Sequence, residues 1–468
     1  MSKSIKKVLS EILTSGCDER IFLRDETQAN KYHLNPVDFE DLFHRGSCTC
    51  GTLTPFAEEI AIDFVNNYQE SNYSQILKNQ TKRLQFLLRE SDENQFHVYY
   101  GPSGSDLMYF PLLFQAIINP NKPILNIVSC PEELGSGSKA AAKGQFYSEW
   151  NQFGERIPVG KNVTGSIKSN VHFLPARSLD GSILDRKKAI RELIQQHPDQ
   201  SIIGNLVFGS KSGIKDDLDI IDEFSKGVMW VVDMCQFRTD RKLIHDLIKK
   251  GVMIMVTGSK FYQAPPFCGA LLVPKLWSDL MSKLDAQVAV GLRKIFCVSD
   301  IPLAMENIRK HLIDFKNQGL RMRWEIALRE MEEYMSFDSS ETNALIRRWS
   351  QVVIGRLALS DSFRLMPDVE LTNDSIVSFM VLDNGRALNN KELKNLFDRI
   401  ITERHEGLLG FHRVFIGQPV QYGDKSFIRL AIGSYSVRKQ MEKKKFDPKN
   451  DIRLIEIIEE YVGKIHSV

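Results

Sequence analysis

The sequence predicts an α/β fold: a mostly parallel sheet flanked by helices, with a smaller α+β domain at the C-terminus. Three observations lead there. From about residue 95, short β-branched runs alternate with helix-length stretches, the pattern of strand–helix–strand units. The runs are continuously apolar rather than alternating, as strands buried on both faces must be. After about residue 300 the alternation stops, and the remaining strands have few crossover helices between them.

In chain order, Ile5, Val8, Leu9, Ile12 and Leu13 follow 3–4 spacing and predict an amphipathic helix. Glu11 and Asp18 stand close by and no small-residue cleavage site follows, so a secretory signal is not expected. Strands are predicted at 97–100, 124–129, 171–174, 202–208, 228–233, 252–256 and 269–273, and helices at 107–118, 186–196 and 241–250. Residues 301–335 read as one long charged helix, with no proline after Pro302 and a single glycine, Gly319. A helix at 343–359 follows, then strands at 376–382, 413–418 and 427–432 and helices at 390–401 and 451–462. The expected division is an N-terminal segment, 1–60, which packs across the domain junction and contributes to the small domain and the active-site rim. A large domain, 61–335, and a small domain, 336–468, complete it. No internal repeat or low-complexity tract is evident.

Composition narrows the function. Apolar residues are 43% and charged residues 26% of 468, which excludes a disordered, collagen-like or fibrous chain. Lys and Arg number 61 against 59 acids, a net charge of +2, too balanced for wholesale nucleic-acid binding. No apolar run approaches the roughly 18 residues of a membrane helix. The longest, 107–118, is too short and contains Pro111 and Gln115. Seven cysteines spread over this length read as reduced thiols in a cytoplasmic protein. Cys48-Thr49-Cys50 has the wrong spacing for a zinc pair, and no metal site is expected. The basic run 439–445 reads as a solvated loop.

Three features could carry chemistry. The first is Tyr99-Tyr100-Gly101-Pro102-Ser103-Gly104-Ser105-Asp106, between a strand and an apolar helix. Small residues there let backbone N–H groups meet an anion, and two hydroxyls add donors. The bland alternative is an N-cap and turn. It is not a Walker loop, because no Gly-Lys-Ser/Thr follows. The second is Asp233 in Val231-Val232-Asp233-Met234-Cys235-Gln236. An acid ending a buried strand is costly unless its charge is used, and ligands of α/β sheets sit beyond such strand ends. Capping of the next helix is the alternative. The third is Lys260 in Val256-Thr257-Gly258-Ser259-Lys260. A lysine at the mouth of a buried strand loses charge stability and gains nucleophilicity. The alternative is a snorkelling surface lysine.

An anion cradle, a carboxylate and a lysine that each follow a separate parallel strand would converge on one crevice. Pyridoxal 5'-phosphate needs those three partners, for its phosphate, its ring nitrogen and its aldehyde. The sequence here resembles the fold-type-I pyridoxal-phosphate enzymes, most closely the class V aminotransferase and cysteine-desulfurase branch. The family's Asp-x-x-Gln is similar to Asp233…Gln236, which implies Asp233 at the ring nitrogen and Gln236 at the phenolic oxygen. Thr257-Gly258-Ser259-Lys260 resembles its Ser-x-His-Lys, which implies Lys260 as the Schiff-base lysine and Thr257 and Ser259 as phosphate ligands. Ser103-Gly104-Ser105 resembles its Ser-Gly-Thr phosphate motif, and Ser210-Lys211-Ser212-Gly213 its Asn-x-x-Gly. Gly269-Ala270-Leu271-Leu272-Val273 matches the strand after the lysine loop. Ile428-Arg429-Leu430-Ala431 resembles the small-domain strand whose arginine binds the substrate carboxylate, a task that suits a planar, always charged group; an exposed strand arginine is the other reading. The resemblance spans roughly residues 60–440, and the Asp233-to-Lys260 spacing of 27 is its most specific part.

The departures are equally informative. Ser259 stands where the family has histidine. No aromatic follows the 124–129 strand to stack on the cofactor ring, where Glu133 and Leu134 are nearest. Gly135-Ser136-Gly137-Ser138-Lys139 lacks the full glycine fingerprint and reads as a flexible loop beside the cofactor. Cys297, among Ile295, Phe296 and Val298, reads as a buried thiol rather than a desulfurase nucleophile. His44-Arg45-Gly46-Ser47-Cys48-Thr49 is a candidate to reach the substrate. The resemblance implies a homodimer. The expected activity is amino-group transfer on an amino acid or related amine through Lys260. The second reading is β-elimination, as in a C–S lyase. The third is a non-catalytic dimer that keeps the fold for binding; the presence of Lys260 and Asp233 speaks against it.

Overall fold

The computed structural model describes residues 3–46, 51–90, 95–178, 182–366, 371–422 and 425–464. Strand β1 (Leu42–Arg45) belongs to the smaller sheet. The larger sheet is built from β2 (Phe96–Gly101), β3 (Ile124–Ser129), β4 (Ser169–Leu174), β5 (Ser201–Val207), β6 (Val228–Asp233), β7 (Met253–Thr257) and β8 (Gly269–Pro274). Their order is β2-β8-β7-β6-β5-β3-β4. Every pairing is parallel except those of β8, which runs antiparallel to both β2 and β7. The carboxyl ends of β2 to β7 therefore share one edge of the sheet.

The continuous apolar runs are explained by burial on two faces. Along β6, Val228, Trp230 and Val232 join one core cluster, and Met229 and Val231 join the other. β7 divides in the same way, with Ile254 and Val256 on one side and Met253 and Met255 on the other. Strands so enclosed lose nothing by carrying apolar residues at successive positions. Helices cover both faces, and several start where a side chain satisfies an otherwise unpaired backbone N–H. Asp185 caps Arg186–Gln196, Asp240 caps Arg241–Lys249, and Thr54 caps Pro55–Asn67.

The smaller sheet is mainly antiparallel. It contains β9 (Phe363–Leu365), β10 (Ile376–Asp383), β11 (Arg386–Ala387), β12 (Arg413–Tyr422) and β13 (Lys425–Ala431), in the order β1-β12-β13-β10-β11, with β9 also on β10. β1 pairs in parallel with β12, so the N-terminal segment supplies a strand to the C-terminal sheet. Buried Arg45 fixes that junction through Asp451, with Nε to Oδ1 at 2.5 Å and Nη2 to Oδ2 at 3.0 Å.

Two sequence expectations change. Residues 301–335 are not one helix: the regular helix is Gln318–Met335, begun by the Asn317 side chain accepting from Leu320 N at 2.9 Å. Before it, a separate short helix spans Glu306–Arg309, and Arg309 Nη1 donates to the carbonyls of Val298 and Ile301, both at 2.7 Å. The basic run is not all loop, because its first residues end the helix Ser434–Glu442 and Lys439 pairs with Glu442. Among the described residues no helix is long and apolar enough to cross a membrane, and no group of three or more ligating side chains could hold a metal ion.

Candidate active site

One cleft lies at the carboxyl edge of the large sheet. It is lined by Ser103, Gly104 and Ser105 after β2, by Glu133, Leu134 and Gly135 after β3, and by Ser210 after β5. Asp233 and Gln236 reach it from the end of β6, and Thr257, Ser259 and Lys260 from the end of β7. The sequence-predicted catalytic and cofactor-binding residues all meet here; Arg429 and Arg45 do not. The topology explains the meeting, because ligand-facing loops of such sheets leave the carboxyl ends of the strands.

The turn after β2 is tightly organised. Ser103 is not a free donor: its N–H and Oγ both give hydrogen bonds to Asp106 Oδ2, at 2.8 and 2.9 Å. The next two backbone N–H groups, of Gly104 and Ser105, donate to no described group. Ser105 Oγ shares a hydrogen bond with Ser138 Oγ at 3.1 Å. A Cβ on Gly104 would come within 2.8 Å of Cys235 Sγ, and one on Gly135 within 2.8 Å of Ser105 Oγ. Glycine is therefore what keeps this end open.

The opposite wall carries the charges. Asp233 is half-buried and Oδ1 accepts from Cys235 N at 2.8 Å, a tight turn that fixes the carboxylate at the strand end. Gln236 is buried, with Oε1 accepting from Arg238 Nε at 3.2 Å. Thr257 Oγ1 donates to the Cys235 carbonyl at 2.8 Å and so ties the β7 turn to the β6 turn. Its hydroxyl serves the wall rather than an incoming group. Ser259 Oγ is buried and has no hydrogen-bond partner. Lys260 is half-buried, and no ion pair or hydrogen bond to a described residue involves Nζ. Its loop is held by Gly258 N on the Cys268 carbonyl at 3.1 Å and Gln263 N on its own carbonyl at 3.2 Å.

At the far end, Glu133 gathers hydroxyls. Ser210, Ser212 and Tyr422 all donate to its carboxylate, and Ser212 N adds a bond at 2.8 Å. Burial, then the Glu133 charge, pushes the Tyr422 phenol far up, so it stays a donor. Tyr422 ends β12 and Glu133 follows β3, so this cluster joins the two sheets across the cleft.

Several expectations are not gathered here. Arg429 is 1% exposed, and Nη1 donates to the Gln418 carbonyl at 2.7 Å inside the small sheet. It is not part of the cleft wall. Cys297 is buried against Asp300, with Sγ 3.2 Å from Oδ2, and burial pushes its thiol well up. Arg45 faces Asp451 rather than the cleft, and residues 47–49 of the candidate substrate segment lie outside the described residues.

Sequence reasoning missed Arg20, which lines the cleft, 5% exposed, from the N-terminal segment. Its Nη2 donates to Ser103 Oγ, 83 residues away, at 3.1 Å. No local pattern marks it; the only signal was a charged turn, Asp18-Glu19-Arg20, directly after an amphipathic helix. Phe267 and Cys268 were missed as well, and Ser138 was read only as part of a loop beside the cofactor.

No protein-family model matches the chain, and no curated protein matches it in sequence. Solved structures do match. The cysteine desulfurase CsdA of Escherichia coli has a TM-score of 0.57 at 13% identity, over 89% of this chain and 94% of that one. The ureidoglycine–glyoxylate aminotransferase of Bacillus subtilis scores 0.54 at 12%, over 89% and 97%. The tryptophan decarboxylase of Catharanthus roseus scores 0.55 at 12%, over 90% and 83%. The fold is thus the aspartate-aminotransferase-like transferase fold expected from the sequence.

Proposed function

We propose that the chain is a pyridoxal-phosphate-dependent enzyme that acts on an amino acid or a related amine through Lys260. The observation that carries this reading is the meeting of Lys260, Asp233 and the Ser103–Ser105 turn in one cleft. The residues present fit the cofactor. Ser259 Oγ is a buried hydroxyl without a partner, the Gly104 and Gly135 positions have no room for a Cβ, and Lys260 Nζ is uncommitted. Lys260 would hold the group covalently, Asp233 its ring nitrogen and Gln236 its phenolic oxygen. The Gly104 and Ser105 N–H groups with Ser259 Oγ would take its phosphate. When bound, the group supplies an electron sink next to the carbon that bears the substrate's amine.

The chain's own residues then have defined tasks. Asp233, fixed at the strand end, would hold a proton on the ring nitrogen. Lys260 would also be placed to move the Cα proton of a bound amine as general base. The Glu133 cluster and Leu134 close one side of the cleft against water. Among the described residues, the thiols favour amino-group transfer over persulfide chemistry. Cys235 and Cys268 line the cleft but are buried with their thiols pushed up, and Cys297 is sealed against Asp300. A cytoplasmic homodimer completes the proposal.

Protein incubated with pyridoxal phosphate is expected to gain a near-visible absorbance band that Lys260→Ala lacks. Borohydride reduction followed by peptide mass spectrometry is expected to mark Lys260. A wild-type protein without the band, or a mark on another lysine, overturns the proposal. An amino-acid panel scored for keto acid, sulfide and ammonia separates transfer from elimination.

A further inference from the structure

The strongest unexplained feature of the cleft is a buried arginine that arrives from the far N-terminus. The segment leading to it is clamped to the Gln318–Met335 helix. Arg323 donates to the carbonyls of Leu13 at 3.1 Å and Ser15 at 2.9 Å, and Asn317 Nδ2 donates to the Gly16 carbonyl at 2.8 Å. Gly16 has φ +68°, and a Cβ there would overlap Asn317 Oδ1 at 1.9 Å, so the turn requires glycine. Asp18 then accepts from Arg20 N at 3.1 Å and sets the following turn. Arg20 is delivered by a fixed piece of chain.

Its guanidinium has a back and a front. At the back, Nε and Nη2 grip Asp18 Oδ1 and Oδ2, each at 2.7 Å, and Nη2 also reaches Tyr147 OH at 3.3 Å. Asp18, Asp106 and Tyr147 line a separate small cavity behind the turn, not the cleft. Burial would weaken the charge on Arg20, but Asp18 and Tyr147 outweigh it and the guanidinium stays firmly protonated. At the front, Arg20 lies over the Phe267 ring at 4.4 Å and lines the cleft beside Ser103, Gly104, Ser105 and Ser259. Nη1 makes no hydrogen bond to a described residue. The partnerless Ser259 hydroxyl lines the same cleft.

We propose that Arg20 is the cation that binds the phosphate monoester of the cofactor, with Nη1 and Ser259 Oγ as donors to it. This rests on the pyridoxal-phosphate reading. A phosphate dianion needs compensating charge when it is taken out of water. Of the other cations in the cleft wall, Lys260 is committed to covalent attachment, and Lys211 lies after β5 with Nζ on the Glu132 carbonyl at 3.5 Å. Ser259 replaces a residue that can carry charge with one that cannot, and Arg20 restores the charge from 239 residues earlier in the chain, at positions 20 against 259. Asp18 becomes a positioning residue, because its bidentate grip fixes the plane of the guanidinium.

The test compares pyridoxal phosphate with pyridoxal, which keeps the aldehyde and ring and lacks the phosphate. Binding of each to the apoprotein is followed by the absorbance band. Arg20→Ala is expected to weaken pyridoxal phosphate by about 30-fold, the scale of one charge-assisted contact, and to leave pyridoxal within about threefold. Inorganic phosphate should raise the melting temperature of wild-type apoprotein and not of the variant. Should Arg20→Ala fail to fold, Arg20→Lys carries the same comparison, with a smaller loss confined to the phosphorylated ligand. Equal losses for both ligands would make Arg20 a structural residue and overturn the proposal. Unchanged cofactor affinity with a raised KM for the amine would assign Arg20 to the substrate carboxylate and also overturn it. A wild-type protein with no band at all fails the cofactor reading instead.

Discussion

Lys260 and Arg429 are both cations beside strands, and both resemble functional residues, yet the structure treats them oppositely. Lys260 follows a strand of a parallel sheet, at the edge where chains leave for the next helix. The Gly258 N–H still bonds the Cys268 carbonyl, but Lys260 lies two residues past that bond, and its amine is left to the cleft. Arg429 sits within an antiparallel strand, opposite Ser378 of β10 and Gly417 of β12. The neighbouring strand offers a carbonyl, that of Gln418, and the guanidinium takes it at 2.7 Å. A cation at a parallel strand end is available for chemistry, whereas one inside an antiparallel sheet is absorbed by the sheet.

The largest effect belongs to the lysine. Lys260→Arg keeps the positive charge and removes the nucleophilic amine, since a guanidinium does not deprotonate in a protein. Activity is expected to fall by more than about 1,000-fold, because a covalent step has no substitute. The near-visible band should vanish, while the apoprotein's melting temperature stays within a few degrees. A variant that retains the band would show that the amine at the strand end is not the attachment point.

Charges of the small domain should affect stability instead. Asp451 is 1% exposed and accepts from both Arg45 and Trp349 Nε1, the latter at 2.8 Å. Asp451→Ala leaves Arg45 buried and unpaired, which typically costs about 3–5 kcal/mol. Urea unfolding measures it. The cofactor affinity of the folded fraction should not change, because neither residue reaches the cleft.

The same physics explains what was legible in the sequence. Strands such as β3, β5, β6 and β7 were readable because burial on both faces writes itself as apolar runs, as in Val228–Asp233, whereas edge strand β4 is only partly buried. Asp233 and Lys260 were readable because a charge at the end of such a run is locally anomalous. Strand β1 was not, since Leu42–Arg45 becomes a strand only by pairing with β12, some 370 residues later at Arg413. Arg20 was invisible for the same reason. The helix expected across 301–335 is broken into a short helix, Glu306–Arg309, and the regular helix from Gln318, which the Asn317 side chain starts by accepting from Leu320 N, a boundary that periodicity does not encode. Arg429 was chosen from a matching strand, but its fate depends on the carbonyl beside it.

Asp106 lies between the two cases: a buried acid directly behind the cleft. Burial, then the Asp18 charge, raises it to about 6. Its ordinary value is about 3.9, so the native state holds the proton more tightly than the unfolded chain between those values. The stabilisation is therefore complete below about pH 4 and is lost as the pH rises through 6. The span corresponds to roughly 3 kcal/mol. Asp106→Asn should flatten the fall in unfolding free energy between pH 4.5 and 7.5. An unchanged slope in the variant would mean that the acid is not the source.

The smallest effect on function is expected at Arg429. Replacing it by methionine removes a buried guanidinium together with its bond to the Gln418 carbonyl and keeps an unbranched apolar stem. The lost hydrogen bond costs about 1–3 kcal/mol, offset in part because the charge no longer has to be kept from water. If the antiparallel sheet has absorbed this cation, Arg429→Met leaves the KM for the amine within about twofold, since losing a charged hydrogen bond to a substrate carboxylate would raise it by at least about tenfold. A tenfold or greater rise in KM at constant kcat would return Arg429 to the substrate and would mean that the cleft closes onto the small sheet during turnover. Measuring KM and urea stability on the same preparation separates these outcomes, because a sheet residue moves the second and a substrate ligand moves the first.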